Sequence, residues 1–131
     1  MIINESNGEI INSKKVYIHD DILTLLQFSR LDKKMILSFN KYNSCDEYKI
    51  CFFNVLGFEM SSCDFWGESE CLFDFEYVKQ SERVIIPKLL KEWDTVPVLV
   101  SPINYENFIE VLFTFSSGDQ LRIACEEIEI T

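Results

Sequence analysis

Five carboxylates crowd one stretch of this 131-residue chain: Asp64, Glu68, Glu70, Asp74 and Glu76, spaced around Phe65 and Trp66. Two carboxylates flanking a scissile bond, beside an aromatic ring on which a sugar can rest, are the working parts of glycoside hydrolysis. The spacing speaks against that chemistry. From Glu70 to Glu76 the acids fall on alternating positions, the period of a strand, and so share an outward face. Asp and Glu are ordinarily solvated. A charged surface is the better reading, and an acid-pair hydrolase built on Asp64 and Glu70 is the weaker one.

Other chemistries lack parts. His19-Asp20 matches the paired ligands of HD-type phosphohydrolases, but that chemistry needs further histidines, and His19 is the chain's single imidazole. The pair is expected at a strand end, with the Asp forming a turn. A Ser or Cys nucleophile would have to take His19 as its base, and no serine sits in a Gly-x-Ser-x-Gly setting. Four glycines in the whole chain leave no phosphate-cradling loop. The cysteines, at positions 45, 51, 63, 71 and 125, are odd in number and include no Cys-x-x-Cys. Cys63 and Cys71 are too far apart for a zinc knuckle. Reduced thiols buried among apolar residues are expected, with no metal and no cofactor.

Charge is more informative. The chain carries a net charge of −10, unevenly distributed. Residues 1–49 hold seven acids and seven bases, whereas residues 50–131 hold fifteen acids and five bases. Phosphate contacts need a basic surface, so direct nucleic-acid binding is disfavoured. An acidic surface instead attracts basic proteins and speeds their encounter. No apolar run reaches the ~18 residues of a membrane span. The opening Met-Ile-Ile-Asn-Glu-Ser-Asn-Gly-Glu has neither a basic nor an apolar signal region, so a cytoplasmic location is expected.

The elements that must position these residues are mostly strands. Eleven Phe and five Tyr favour pleated, half-buried surfaces. Lys15–His19 reads as a first strand, after a turning segment at Asn7-Gly8. Asp20-Asp21 would cap a helix at 22–30, but Ile22, Thr24, Leu26 and Phe28 also share one strand face. A hairpin of 22–30 with 34–41 is the more economical reading. Tyr48–Leu56, apolar on both faces, reads as a central strand. A short strand at Phe58–Met60 and a turn at Asp64–Gly67 follow. In 71–77, Cys71, Phe73, Phe75 and Tyr77 face one way, against Glu70, Leu72, Asp74 and Glu76.

Residues 83–93 predict the one short helix, with Pro87 in its first turn and Leu89, Leu90 and Trp93 on the apolar side. Val98–Val100, between Pro97 and Pro102, is at best an edge strand. The last third is a hairpin, residues 105–115 with 120–125, turning at Gly118. Glu126-Glu127 throws Ile128 and Ile130 out of phase with Leu121, Ile123 and Cys125; a bulge or bend there returns both sets to the core. The sum is a mainly β, single-domain antiparallel structure over residues 1–131: a sandwich or partly open barrel of seven to eight strands with one short helix.

The succession "YIHDDILTLLQF", "YKICFFNVLGFEMSSCDFWG" and "FTFSSGDQLRIACEEIEI" resembles the layout of small bacterial proteins of uncharacterised or immunity type found beside polymorphic toxins, over roughly residues 16–131. Those proteins have no catalytic set to carry over. The resemblance implies a cytoplasmic binding protein that blocks a toxin by covering its active surface. A basic partner fits the acidic half, with Asp64, Glu68, Glu70, Asp74 and Glu76 as contacts and Phe65 and Trp66 as aromatic anchors. The alternative is a barrel that holds a small apolar ligand.

Overall fold

The period-two runs become strands. A computed structural model describes residues 1–13, 18–61, 71–95 and 105–131. Among these residues the strands are β1 (Ile2–Ile3), β2 (Ile22–Ser29), β3 (Lys34–Asn40), β4 (Glu47–Phe53), β5 (Gly57–Met60), β6 (Leu72–Tyr77), β7 (Ile109–Phe115), β8 (Gln120–Cys125) and β9 (Glu127–Ile130). One helix, α1 (Ile85–Thr95), lies between β6 and β7. The strands form two antiparallel sheets. The first has the order β1-β9-β4-β3-β2 and the second β5-β8-β7-β6. The architecture is a β sandwich, not a closed barrel.

Alternation decides which side chains lie between the sheets. Met35, Leu37 and Phe39 of β3, Tyr48, Ile50 and Phe52 of β4, and Val111, Phe113 and Phe115 of β7 are all buried there. Leu121, Ile123 and Cys125 of β8 join them. Phe113 is the hub of this core. Its ring stacks on Phe75 at 4.3 Å and on Phe39 at 6.1 Å, and meets Phe52 edge-on at 6.1 Å. Gly118, at φ +92°, closes the β7–β8 hairpin in a conformation that suits glycine.

Two corners pass the chain from one sheet to the other. At Glu126 the chain bends: β8 pairs with β7 in the second sheet, and β9 pairs with β4 in the first. The expected bend is there, and Ile128 is fully buried. At Asn54, φ +52° ends β4, and β5 joins β8. Asparagine tolerates this left-handed conformation better than a branched residue would. The β2 strand touches opposite edges of the second sheet, through a bridge from Ile22 to Cys71 and a Phe28–Phe58 ring contact at 5.0 Å. It therefore runs across that sheet and not along it, as in orthogonally packed sheets.

The outer face of the second sheet is partly covered by α1. Ile85 and Ile86 pack with Phe108 and Ala124, and half-buried Leu89 and Leu90 extend the cluster. Lys88, Lys91 and Glu92 are exposed, as the helix pattern requires. Gly57 sits under the helix, where an added Cβ would lie 3.2 Å from Ile85.

Several sequence expectations need correction. The described part of Lys15–His19, residues Ile18 and His19, is not strand; the first strand is Ile2–Ile3, pinned by pairing with β9. Among the described residues there are nine strands where seven or eight were expected, because β1 is added and the last run is split at Glu126. Leu72 is buried instead of facing outward with Asp74, because the β6–β7 register shifts between them. A similar shift between Leu23 and Leu25 leaves Thr24 exposed while Leu23 packs on the core. β4 is central, but Cys51 and Phe53 on its second face are only half-buried. The strand buried on both faces is β7. The segments 62–70 and 96–104, which contain the expected turn at Asp64–Gly67 and the extended Val98–Val100, lie outside the described residues, as does the Trp93 side chain.

Candidate interaction surface

β6 carries the part of the acidic cluster that the structure describes. Phe75 points inward onto Phe113, so Asp74 and Glu76 on either side of it point out, and both are exposed. Among the described residues, no cation lies within ion-pair distance of either carboxylate. Asp64, Phe65, Trp66, Glu68 and Glu70 lie outside the described residues. The structure thus brings together two of the seven expected contact residues.

β6 is an edge strand, and edges invite pairing with other chains. Here the edge is occupied. The Leu72 N–H donates to the Asp21 carbonyl and the Asp20 N–H to the Leu72 carbonyl, both at 2.8 Å. The Phe75 N–H donates to Asp74 Oδ1 at 2.9 Å. At the far end the Asn12 side chain imitates a neighbouring strand: its Oδ1 accepts from the Tyr77 N–H at 2.9 Å and its Nδ2 donates to the Tyr77 carbonyl at 3.0 Å. What β6 offers a partner is its outer side chains, not its backbone.

Both arginines of the acidic half are turned inward, and one of its lysines is paired at the surface. Arg122 Nη1 lies 2.8 Å from Oε2 of Glu110, a carboxylate with no exposed surface. Arg83 donates to the carbonyls of Val78 and Phe108 and to the Tyr77 hydroxyl, and its guanidinium covers the Tyr77 ring at 5.6 Å. Lys88 lies 3.7 Å from Glu59. Three of the five bases in residues 50–131 are therefore engaged within the molecule, and the acids of β6 stay unbalanced.

Glu110 has a second task that sequence reasoning missed. Its carboxylate accepts from the N–H groups of Val84, Ile85 and Ile86 at 2.8, 2.9 and 3.2 Å. Pro87 has no N–H, and Lys88 N–H already reaches Val84 O. Every donor at the start of α1 is thus satisfied. The signal was available: Arg83-Val84-Ile85-Ile86-Pro87 begins a helix with no Ser, Thr, Asp or Asn to cap it. Such a start demands an acceptor from elsewhere, and a lone Glu in an apolar strand is the candidate.

The remaining polar groups build structure. His19 Nε2 lies 3.5 Å from Asp20 Oδ1, in a turn where Asp20 takes φ +69°, as expected of a turn-forming Asp. Asp21 is buried; it accepts from the Tyr48 hydroxyl at 2.6 Å and the Tyr42 N–H at 2.8 Å. Burial, and then the Asp21 carboxylate, push the Tyr48 hydroxyl far above its ordinary ionisation range. Two open clefts flank the N-terminal segment. One, of about 530 Å³, is walled by Asn4, Asn54, Asn107, Glu126 and Glu127; the other, of about 510 Å³, by Tyr77, Arg83, Pro87, Tyr105 and Phe108. His19 lines neither. Among the described residues, no group of three or more His, Cys, Asp or Glu is placed to hold a metal ion, and no helix is long and apolar enough to cross a membrane. Cys45 is exposed and Cys51 and Cys71 are half-buried, so of the described cysteines only Cys125 meets the expectation of a buried thiol.

No family model matches this chain, and no curated protein does. Among solved structures it is similar to the crystal structure of an uncharacterized protein from Neisseria gonorrhoeae. The two share 15% identity over 99% of this chain and 96% of the other, with a TM-score of 0.53. At that identity the likeness is one of fold: the sandwich.

Proposed function

We propose that this chain is a non-catalytic binding protein whose acidic outer surface on β6 receives a basic protein. The observation that carries the reading is the one-sided disposition of charge. Asp74 and Glu76 stand exposed and unbalanced, while Arg83, Arg122 and Lys88 of the same half are held by internal partners. Such a surface attracts a basic partner over distances of a Debye length and orients the encounter. The resemblance to immunity-type proteins supplies the identity of that partner: a toxin in the cytoplasm, basic where it grips phosphate. Asp64, Phe65, Trp66, Glu68 and Glu70, the other expected contacts, precede β6 in the chain and lie outside the described residues. The aromatic cluster around Phe113 fills the space between the sheets that an apolar ligand would need, which favours surface recognition.

The test is retrieval from native cells in low salt, followed by association kinetics with the retrieved protein. The association rate should fall steeply between dilute buffer and physiological salt. Asp74→Lys combined with Glu76→Lys should slow it further, with an unchanged circular dichroism spectrum. Unaltered kinetics in the reversed variant would remove β6 from the interface. Turnover by the wild-type protein that this variant abolishes would defeat the non-catalytic reading.

A further inference from the structure

The cleft beside α1 combines a fixed cation with apolar walls. Arg83 lines it, and its Nε–H and one Nη1 N–H are spent on the carbonyls of Val78 and Phe108, at 3.3 and 3.1 Å. One Nη2 N–H goes to the Tyr77 hydroxyl at 2.9 Å. A guanidinium carries five N–H groups, so one on each Nη remains for a further acceptor. The Tyr77 oxygen accepts from Arg83, which leaves its own O–H to donate. Both side chains are held in place. Gly8 lies against the Tyr77 ring, where an added Cβ would fall 2.5 Å from Cε2, and the guanidinium covers the ring at 5.6 Å.

The walls are of another kind. Pro87 and Leu90 of α1, with Tyr105 and Phe108 ahead of β7, present apolar surface around Arg83 in a cleft of about 510 Å³. Small-molecule sites have this build: ~300–1,000 Å³, apolar walls and a few fixed polar groups. Glu5 and Glu106 also line the cleft, and both are exposed, so they stand at its mouth.

We propose that this cleft binds a small monocarboxylic acid with an apolar body. The carboxylate accepts from the remaining Nη N–H groups of Arg83 and from the Tyr77 O–H. The body lies against Pro87, Leu90, Tyr105 and Phe108. Charge-assisted bonds to a guanidinium are strong, and a side chain already held in place loses little entropy on binding. The ligand is limited to one negative charge. The chain carries −10, and Glu5 and Glu106 flank the approach, so phosphates and dicarboxylates are repelled where a single carboxylate is neutralised by Arg83. The site is independent of the β6 surface, since neither Asp74 nor Glu76 lines it. It is also separate from the space between the sheets, which Phe113 and its neighbours fill.

Titration of the full chain with phenylacetate, followed by NMR, tests the proposal. The backbone amides of Tyr77, Leu90 and Phe108 should shift saturably, with a Kd of about 1 mM or tighter. Phenylacetamide, equal in shape but uncharged, should bind roughly tenfold more weakly or worse, because the charge-assisted bonds are lost. Arg83→Gln should remove binding, but Arg83 also ties Val78 to Phe108, so a second variant separates recognition from folding. Pro87 is exposed, and Pro87→Glu sets a carboxylate in the wall without touching the core. It should abolish phenylacetate binding with an unchanged circular dichroism spectrum. No saturation in the wild type by about 10 mM overturns the proposal. So do saturable shifts confined to other parts of the molecule, equal affinity for the amide, or wild-type affinity in the folded Pro87→Glu variant.

Discussion

Asn54 donates from Nδ2 to Oε2 of Glu126 at 2.9 Å, and these two residues are the corners at which the chain changes sheets. The backbone repeats the link, since the Glu126 N–H donates to the Phe53 carbonyl at 3.1 Å. One local latch therefore holds both crossings of the sandwich. Asn54→Val should destabilise the fold by about 1–2 kcal/mol, because a branched side chain is strained at φ +52°. Asn54→Gly should cost much less. Urea denaturation of the two variants checks the order, and equal losses would show that the hydrogen bond, not the conformation, dominates.

Glu110→Ala should be among the most damaging single changes. It strands Arg122, whose side chain is only 19% exposed, and leaves three helix N–H groups without their acceptor. Removing one partner of a buried ion pair typically costs ~3–5 kcal/mol. Glu110→Gln keeps one acceptor oxygen and should lose less. A loss below about 1 kcal/mol for the alanine variant would mean that water replaces the cap.

Stability should fall at alkaline pH, and Tyr48 should be one cause. An unfolded tyrosine ionises near its ordinary value of 10.0, whereas the folded Tyr48 hydroxyl, buried and bonded to Asp21, holds its proton far higher. Above about pH 10 the unfolded chain releases a proton that the native state keeps, so stability is lost progressively as pH rises from there. Below that value Tyr48 contributes no pH dependence. Comparing unfolding free energies at about pH 9 and about pH 11, the wild type should lose more than Tyr48→Phe. Parallel losses would assign the alkaline limb to other groups.

The thiols should separate by reactivity. Cys125 is completely buried and burial pushes its thiol up, so it should resist a thiol reagent until the protein unfolds. Cys45 is exposed and should react first. Peptide mapping after timed native labelling gives the order; early labelling of Cys125 would show that the β8 end of the core opens readily.

The sequence by itself determined where the chain is extended and which side of each strand is apolar. Phe52, Phe113 and Ile123 are legible as core because a period of two is a local property, fixed by successive Cβ atoms pointing to opposite faces. The helix, the hairpin at Gly118 and the bend at Glu126 are legible for the same reason: each breaks the local pattern in a recognisable way. Of the candidate surface, Asp74 and Glu76 were placed correctly by alternation alone. Leu72 was not, since a single extra residue reverses the facing of all that precedes it, and nothing local marks the shift.

Tertiary structure alone decided which sheet each strand joined. Alternation says that Leu121 and Ile128 point inward, but not that β8 and β9, one bend apart, pair in different sheets. It also decided the role of Glu110, 25 residues from the helix start it caps. These are pairings between distant residues, chosen by the summed burial of apolar surface and by the need to satisfy every buried donor. Neither quantity is local, so no window of sequence contains it.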